Sequence, residues 1–545
     1  MKRLLSKSAI TKTQTIALIV LVVFIAVGAA IILRKPILDP SETPSPSPTP
    51  PQTPTETPPA EREQEIIVGV EYVIPGIGEA FSDLSIPLVK PLPEQFSWDK
   101  MQKSPDAAID FSFTDKFVEE FQNNGFTHLI LGLRTSANFL VSEWMIAKEY
   151  PKTQAVDPKY YSKYSNWVRS LVERYDKDGE DDMPGLRYPV KHYEVGVEFS
   201  SYQPEPTEVY LKTLELGYKA AHEAYDEVVV GHSAFLLTPV FKDNPEPDEY
   251  EKAFAENMVG TAGKGLADIR KVLDKPDLFD VLNVHNLGWP YEIENIVQWL
   301  KYETNLRGYS KPIIISDTIP TSFAGFGSAT RTSGEGLAIM LQPATEADRT
   351  RLAEYFKKLI ANNQEYIDWL RNFLAGDVAQ RVVIAAEQRI ALIDTAFTGD
   401  LPGANLAIFQ AGAGNSGWGG MVNYEGGRVT GKRPAYFALQ QLQENIRGYE
   451  SIVRVNTDDE DVRLYKVKKQ NEEFFVVWYG YQKLYLPEDG LPRKNVQIDV
   501  GVSEVMIEKM KTSNDVVRGL EQSNNGVLSV TITPEPFFIF TTNKD

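Results

Sequence analysis

The sequence predicts an α/β protein: a (β/α)8 barrel followed by an antiparallel β-sandwich and preceded by one transmembrane helix and a Pro/Ser/Thr linker. Three observations predict this order. Short apolar runs alternate with helical segments over residues 63–450, which is typical of a parallel sheet buried on both faces. Residues 451–545 carry short strand patterns at regular spacing. The first 62 residues contain a charge-free stretch and then a proline-rich run.

Composition excludes several classes of protein and of site. A chain of 545 residues exceeds one domain. Its net charge of −19 disfavours a nucleic-acid partner, because phosphate binding requires a basic surface. The absence of cysteine excludes disulfides, thiolate metal sites and a cysteine nucleophile. No histidine pair has the spacing of a helical zinc site, and no glycine-rich phosphate loop follows a strand. We therefore expect no metal and no cofactor.

The N-terminal segment predicts a membrane anchor. Residues 1–14 contain four basic residues and no acid, and residues 15–33 contain no charge. A helix of that length reaches about 28 Å, enough to cross a bilayer core. The basic residues before it predict a single-pass protein of the cell membrane, with a cytoplasmic tail at 1–14 and the later domains outside. A cleaved signal peptide is the alternative. Residues 34–62, rich in Pro, Ser and Thr, then form an extended linker.

The barrel prediction rests on seven strand–helix units. Apolar runs rich in β-branched residues predict the strands, and apolar residues at helical spacing predict the helices. The predicted strands are residues 66–71, 88–92, 128–133, 191–198, 227–231, 279–285 and 312–317, with an eighth near 404–409. The predicted helices are residues 113–123, 160–175, 208–225, 265–273, 293–304, 351–374 and 433–445.

The C-terminal region has a different pattern. Its strand candidates are residues 462–467, 473–478, 496–500, 503–508, 527–532 and 537–541. Gly490, Pro534 and the Asn-Asn-Gly turn at residues 524–526 separate them. Short strands with such turn signals predict a small antiparallel β-sandwich at 451–545.

In (β/α)8 barrels the functional residues lie at the carboxyl ends of the strands. The polar residues predicted there are Glu71, Arg134, Glu198, His232, His285, Asn286 and Asp317. Glu198 and Asp317 end strands four and seven, which lie nearly opposite each other. Two facing carboxylates are what glycoside hydrolysis requires, one as a proton donor and one as a nucleophile or base. Metal ligation is not predicted for any of them.

Each candidate residue also has a structural interpretation. Glu198 would be an acid paired with an arginine, Asp317 a cap for the segment after it, and His285 a core histidine. Trp289 follows strand six and would either stack on a sugar ring or pack in the core. Residues 320–343 form a long Gly- and Ser-rich loop that contains Glu335, a rival carboxylate.

Residues 164–198 resemble the strand-four region of the retaining (β/α)8 glycoside hydrolases, the clan of cellulases, β-xylosidases and iduronidases. Residues 279–285 resemble the clan's strand six, where a histidine often lines the site. Residues 433–437 resemble its final helix, and residues 451–545 its C-terminal β-sandwich. The resemblance implies that Glu198 is the acid/base and that Asp317 occupies the nucleophile position. It implies that Arg134, His232, His285, Asn286 and Trp289 contact a carbohydrate.

Three positions depart from the clan's motifs. Val197 replaces an asparagine that binds the sugar 2-hydroxyl, Phe199 replaces a proline, and Asp317 replaces a glutamate. A shorter nucleophile would widen the gap between the carboxyls toward the inverting range. Two hypotheses follow. The first is a membrane-anchored extracellular glycoside hydrolase acting on a polysaccharide or glycoconjugate. The alternative is a catalytically inactive barrel that binds carbohydrate or a protein partner at the cell surface.

Overall fold

Eight parallel strands close into a barrel in sequence order. The computed structural model describes residues 65–91, 96–136, 144–150, 153–237, 240–241, 245–258, 262–318, 346–397, 420–425, 428–470 and 472–541. The barrel strands are β1 (Ile67–Val73), β2 (Leu88–Pro91), β3 (His128–Gly132), β4 (His192–Glu198), β5 (Val229–Leu236), β6 (Leu282–Asn286), β7 (Ile313–Thr318) and β8 (Leu392–Phe397). Because β1 pairs in parallel with both β2 and β8, the sheet has no free edge. This confirms the predicted barrel.

Helices surround the barrel, and most of them bury one face, whereas the helix Gln364–Glu387 is buried on all sides from Leu374 to Ala386. They are α1 (Trp98–Met101), α2 (Ser112–Asn123), α3 (Tyr161–Glu173), α4 (Phe199–Tyr202), α5 (Thr207–Ala224), α6 (Tyr250–Asn257), α7 (Leu266–Leu273), α8 (Glu292–Leu306), α9 (Glu346–Ile360), α10 (Gln364–Glu387) and α11 (Pro434–Ile446). In α3 the buried residues Tyr164, Val168 and Leu171 recur every three or four positions, which places them on one side of the helix.

The barrel interior has an apolar floor and a polar layer above it. The floor is a cluster of buried aliphatic side chains, Leu88, Ile130, Val281, Ile314 and Leu392. Two positions further along three of these strands come Lys90, Ser316 and Asp394, all buried. Residues two apart in a strand point the same way. The strand period therefore places the polar layer nearer the carboxyl ends, where barrel sites are built.

Antiparallel strands form the C-terminal part. A hairpin of β9 (Val422–Glu425) and β10 (Arg428–Lys432) precedes α11. The later strands are β11 (Ser451–Arg454), β12 (Val462–Lys469), β13 (Glu472–Tyr479), β14 (Lys494–Asp499), β15 (Glu504–Lys509), β16 (Arg518–Gln522), β17 (Val527–Ile532) and β18 (Phe537–Phe540). They form a six-stranded sheet in the order β11-β12-β13-β18-β15-β16 and a two-stranded sheet of β14 and β17. All six predicted strands are present.

The last third of the barrel differs from the sequence prediction in two places. The eighth strand is Leu392–Phe397, whereas the predicted segment 404–409 lies outside the described residues. The single helix predicted at 351–374 is two helices, α9 and α10. Asn362 adopts a left-handed φ of 56° and ends the first. The Asn363 side chain accepts a hydrogen bond from the Tyr366 amide and caps the second.

The predicted tail, anchor and linker at 1–62 lie outside the described residues, as does Glu335. Within the described part of the chain, no helix combines the length and the apolar character needed to cross a membrane.

Candidate active site at the barrel mouth

A break in the regular course of β4 shapes the site. The pairing of β4 with β5 shifts register between Val195 and Glu198. Gly196, inside this irregularity, has a φ of +99°. A Cβ at Gly196 would lie 2.5 Å from the Gln203 side chain and 2.9 Å from that of Ser233. The position therefore requires glycine both for its backbone angle and for its close packing.

Glu198, His285 and Asp317 meet at the carboxyl ends of β4, β6 and β7. The His285 Nδ1 lies 3.0 Å from Glu198 Oε1 and 3.9 Å from Asp317 Oδ2. One oxygen of each carboxylate and the imidazole nitrogen lie within 4.8 Å of one another. All three residues are buried. The structure thus brings the two predicted carboxylates together, with a histidine between them, and within the described residues no arginine pairs with Glu198.

Below this group, Lys90 is held by several acceptors in the polar layer. Its Nζ lies 3.1 Å from Glu194 Oε2 and donates a hydrogen bond to the Ser316 carbonyl. Asn283 Nδ2 donates to the same Glu194 carboxylate at 3.0 Å. Burial alone would lower the pKa of Lys90, but the surrounding carboxylates, Glu194 first, raise it above its usual value. Lys90 is therefore a buried ammonium group.

Two further acids of the barrel interior have a raised pKa, Glu71 and Asp394. Burial raises the pKa of Glu71 well above its usual range, and the charge of Asp317 and a hydrogen bond to it raise it further. Neither oxygen of Glu71 receives a hydrogen bond from a donor among the described residues. Asp317 therefore acts on Glu71 as a neighbouring charge, and burial favours the neutral form of Glu71. Burial likewise raises the pKa of Asp394.

Arg134 lies beside the carboxylates. It is buried, and it lines a cavity of about 10 Å³ together with Glu194, His285 and Asp317. That volume is close to the minimum that holds one water molecule. Arg134 follows the end of β3 and brings a positively charged side chain to the lining of this cavity.

His232 and Asn286 lie close to the site but have protein partners. His232 Nδ1 is 2.8 Å from the Ser233 carbonyl, and its Nε2 accepts a hydrogen bond from the Asn283 amide at 3.2 Å. Burial lowers the pKa of His232 to about 4, so it is neutral at pH 7. Asn286 Oδ1 accepts from Arg381 on α10, which also donates to Thr318. Both residues hold the strand ends in place.

Trp289 lies away from the carboxylates. Its ring lines a separate cavity of about 180 Å³ between the barrel and the β-sandwich. It is 8% exposed. The structure places it outside the group of Glu198, His285 and Asp317.

Glu198, His285 and Asp317 are also the residues that could hold a divalent cation, since each offers one ligand atom. Two oxygens and one imidazole nitrogen form a ligand set that zinc and other divalent metals accept when water completes it. A second set, Glu173, Asp176 and Asp178, lies at the end of α3 on the outside of the barrel.

The sequence prediction missed Lys90, Glu194 and Asp394, which lie within strands and not at their ends. The missed signal is a charged residue inside an otherwise apolar barrel strand, since a lone buried charge requires a partner. Gly69 supports the arrangement: a Cβ there would lie 2.6 Å from Asp394 Oδ1.

No protein-family profile matches the sequence, and no curated protein matches it. Several solved structures match the fold of the chain. A glucosidase from Croceicoccus marinus is 12% identical with a TM-score of 0.50, over 88% of this chain and 95% of that one. The chain has the fold of the (β/α)8 glycoside hydrolases. A β-xylosidase from Caulobacter crescentus is 10% identical with a TM-score of 0.49, over 88% and 96% of the two chains. A GH30 endoxylanase from Clostridium papyrosolvens is 12% identical with a TM-score of 0.47, over 88% and 97%.

Proposed function

We propose that the chain is a retaining glycoside hydrolase that acts on a polysaccharide or glycoconjugate. The observation that carries the proposal is the pair formed by Glu198 and Asp317, which end β4 and β7 with carboxylate oxygens within 4.8 Å of each other. Retaining enzymes hold their two carboxyls about 5–5.5 Å apart, and inverting enzymes about 6.5–9.5 Å apart. An approach this close between one oxygen of each acid supports a retaining arrangement, although Asp317 is shorter than a glutamate.

The two acids have separate roles in this proposal. Asp317 attacks the anomeric carbon and forms a glycosyl ester, while Glu198 gives its proton to the departing oxygen. Water then attacks the ester, Glu198 takes a proton from that water, and Asp317 is released. The hydrogen bond between His285 Nδ1 and Glu198 Oε1 engages that oxygen, which leaves Oε2 to carry the transferred proton.

The proposal includes the location of the enzyme. The charge-free residues 15–33 would anchor it in the cell membrane with its N-terminus in the cytoplasm, and residues 34–62 would hold the barrel away from the surface. The support is the composition of these segments. Protease treatment of intact cells tests the location, because an outside barrel is degraded and a cytoplasmic one is protected.

Substrates with different leaving groups test the roles of the acids. Glu198→Gln removes the proton donor, so we expect hydrolysis of alkyl glycosides to fall by about 10²–10⁴-fold. Dinitrophenyl glycosides should be affected much less in the first step, because that leaving group departs without a proton. Asp317→Asn should slow both substrates. Equal loss on both substrates for Glu198→Gln would remove this residue from the acid role.

An inactive barrel that binds carbohydrate is the second candidate. Val197 leaves no side-chain amide beside Glu198, and a second buried acid, Glu71, interacts electrostatically with the proposed nucleophile Asp317. Glycan-array binding by residues 65–545, with no reducing sugar released from any bound glycan, would favour this candidate. Release of reducing sugar that Glu198→Gln abolishes would exclude it.

A further inference from the structure

The interface cavity lies between the barrel and the β-sandwich. It has a volume of about 180 Å³, and its walls come from the segment after β6, from α10, and from the β-sandwich loops. A cavity of about 150 Å³ holds one benzene molecule, so the space fits one six-membered ring. Small-molecule sites occur preferentially at domain interfaces of this kind.

Aromatic rings form much of the wall. Trp369 stacks on Phe373 with ring centroids 5.5 Å apart and an interplanar angle of 16°. The Tyr485 ring packs against both in a T-shaped geometry, with its centroid 5.7 Å from that of Trp369 and 5.9 Å from that of Phe373. Trp369 is only half-buried, although tryptophan rings in a core are normally covered. The C–H face of a sugar ring packs well on such a surface.

Polar groups are placed among these rings. The Trp289 indole N–H is buried and has no acceptor within the described residues. Leaving such a donor without an acceptor costs about 1–3 kcal/mol of folding free energy. This N–H is covered by the protein, so a ligand in the cavity would form its hydrogen bonds with other groups of the wall. Asn372 and Glu535 add further polar groups to the same wall.

The wall carries little net charge. Asp377 is paired with Arg381, whose Nε lies 2.6 Å from Asp377 Oδ2. Burial raises the pKa of Glu535 above its usual value, which favours its neutral form. The pairing of Asp377 and the raised pKa of Glu535 leave little negative charge to attract a cationic ligand. The same two acids would repel an anionic ligand.

We propose that the interface cavity binds a neutral sugar residue, packed against the aromatic wall that contains Trp369 and hydrogen-bonded to polar side chains of the wall such as Asn372. It is a second carbohydrate site, separate from Glu198 and Asp317. Because its ligand class follows from its own lining, the proposal stands whether or not the barrel mouth is catalytic. Arg381 links the two sites, because it holds both Asp377 in the cavity wall and Asn286 at the end of β6.

Sugar binding to residues 65–545 tests the proposal, with Glu198→Gln as the background so that turnover does not interfere. Saturation-transfer NMR and titration calorimetry with D-glucose, D-xylose and cellobiose measure binding, and choline and indole probe the other ligand classes. We expect millimolar affinity for at least one sugar, about tenfold weaker in Trp369→Ala. Trp369→Phe keeps an aromatic face and should recover most of the affinity. Tyr188→Ala, an exposed ring elsewhere, is the control that should change nothing.

Several results would overturn the proposal. They are the absence of binding by all three sugars, equal sugar affinity in wild type and Trp369→Ala, and displacement of bound sugar by choline or indole. Circular dichroism of Trp369→Ala and Trp369→Phe verifies that both variants fold. If sugar binds through Trp369 and no substrate is hydrolysed, the hydrolase proposal alone fails.

Discussion

At the scale of single residues, the ammonium group of Lys90 balances part of the acidic barrel interior. The side chains of Lys90 and Glu194 are 9% and 5% exposed. Lys90→Met would leave the Glu194 carboxylate buried without its cation, which typically lowers the free energy of unfolding by about 3–5 kcal/mol. Urea denaturation measures the loss.

A surface pair provides the matched control for Lys90. Lys466 lies 2.7 Å from Glu473, with side chains 43% and 48% exposed. Lys466→Met should change the free energy of unfolding by less than about 1 kcal/mol. The double variant Lys90→Met/Glu194→Gln should recover part of the loss, because it removes the isolated charge. Equal effects of the two lysine substitutions would contradict the importance assigned to Lys90.

Glu71 makes stability depend on pH in a defined direction. Burial, first, and Asp317 raise its folded pKa above the usual value of 4.5. As pH rises above 4.5, the unfolded chain loses this proton and the folded chain keeps it. The contribution of Glu71 to stability is therefore complete below that pH and is lost as pH rises through the folded pKa, by at most about 1.4 kcal/mol per pH unit.

Glu71→Gln removes this titration and keeps a side chain of the same size and shape. We expect the urea midpoint of the variant to exceed that of the wild type increasingly as pH rises above about 5. At pH values below the usual pKa of a carboxyl group, the urea midpoints of the two proteins should differ least, which provides an internal reference. A constant difference at all pH values would mean that Glu71 is ionised in the folded state.

At the scale of elements, the irregularity in β4 gives Glu194 and Glu198 different partners. Gly196→Ala would place a Cβ 2.5 Å from Gln203 at a φ of +99°. We expect it to destabilise the fold by at least about 1–3 kcal/mol and to reduce activity, because Glu198 moves relative to His285. Thermal unfolding and kcat are the measurements.

Gly519 supplies the control for this element. It lies in β16, and a Cβ there meets nothing within 4 Å. Gly519→Ala should leave the melting temperature and kcat nearly unchanged. A Gly196→Ala protein with wild-type stability would show that β4 can relax around the added methyl group.

The sequence predicted those elements whose apolar pattern is periodic and bounded by turn residues. Seven barrel strands and six β-sandwich strands met this condition. β8 did not, since only four residues separate it from α10 and none of them is Gly or Pro. β16 did not either, because all five of its residues are exposed and it has no apolar face. The acids at strand ends could be predicted from the barrel topology. Lys90 and Asp394 could not, because their place in the site depends on how side chains inside the barrel are layered.

At the scale of the whole molecule, the barrel and the β-sandwich share one core. Buried residues of β12 and β13, including Tyr465 and Trp478, belong to the same hydrophobic cluster as the barrel helices. The Arg463 Nη1 forms an ion pair with Glu294 Oε1 on α8 at 2.9 Å. The Trp478 indole N–H donates to the Tyr291 hydroxyl at 3.1 Å. The two parts are therefore joined by apolar packing and by buried polar contacts.

This shared core predicts that the described region unfolds in one step. Truncation after residue 450 would expose the apolar face that packs on Trp478 and leave Glu294 without Arg463, so the isolated barrel should aggregate or unfold at room temperature. In the chain spanning residues 65–545, calorimetry should give a single transition whose calorimetric and van't Hoff enthalpies agree. Trp478→Ala should lower the free energy of unfolding of the whole region by about 3–5 kcal/mol. Two separate transitions, only one of them shifted by Trp478→Ala, would instead mean that the β-sandwich folds independently of the barrel.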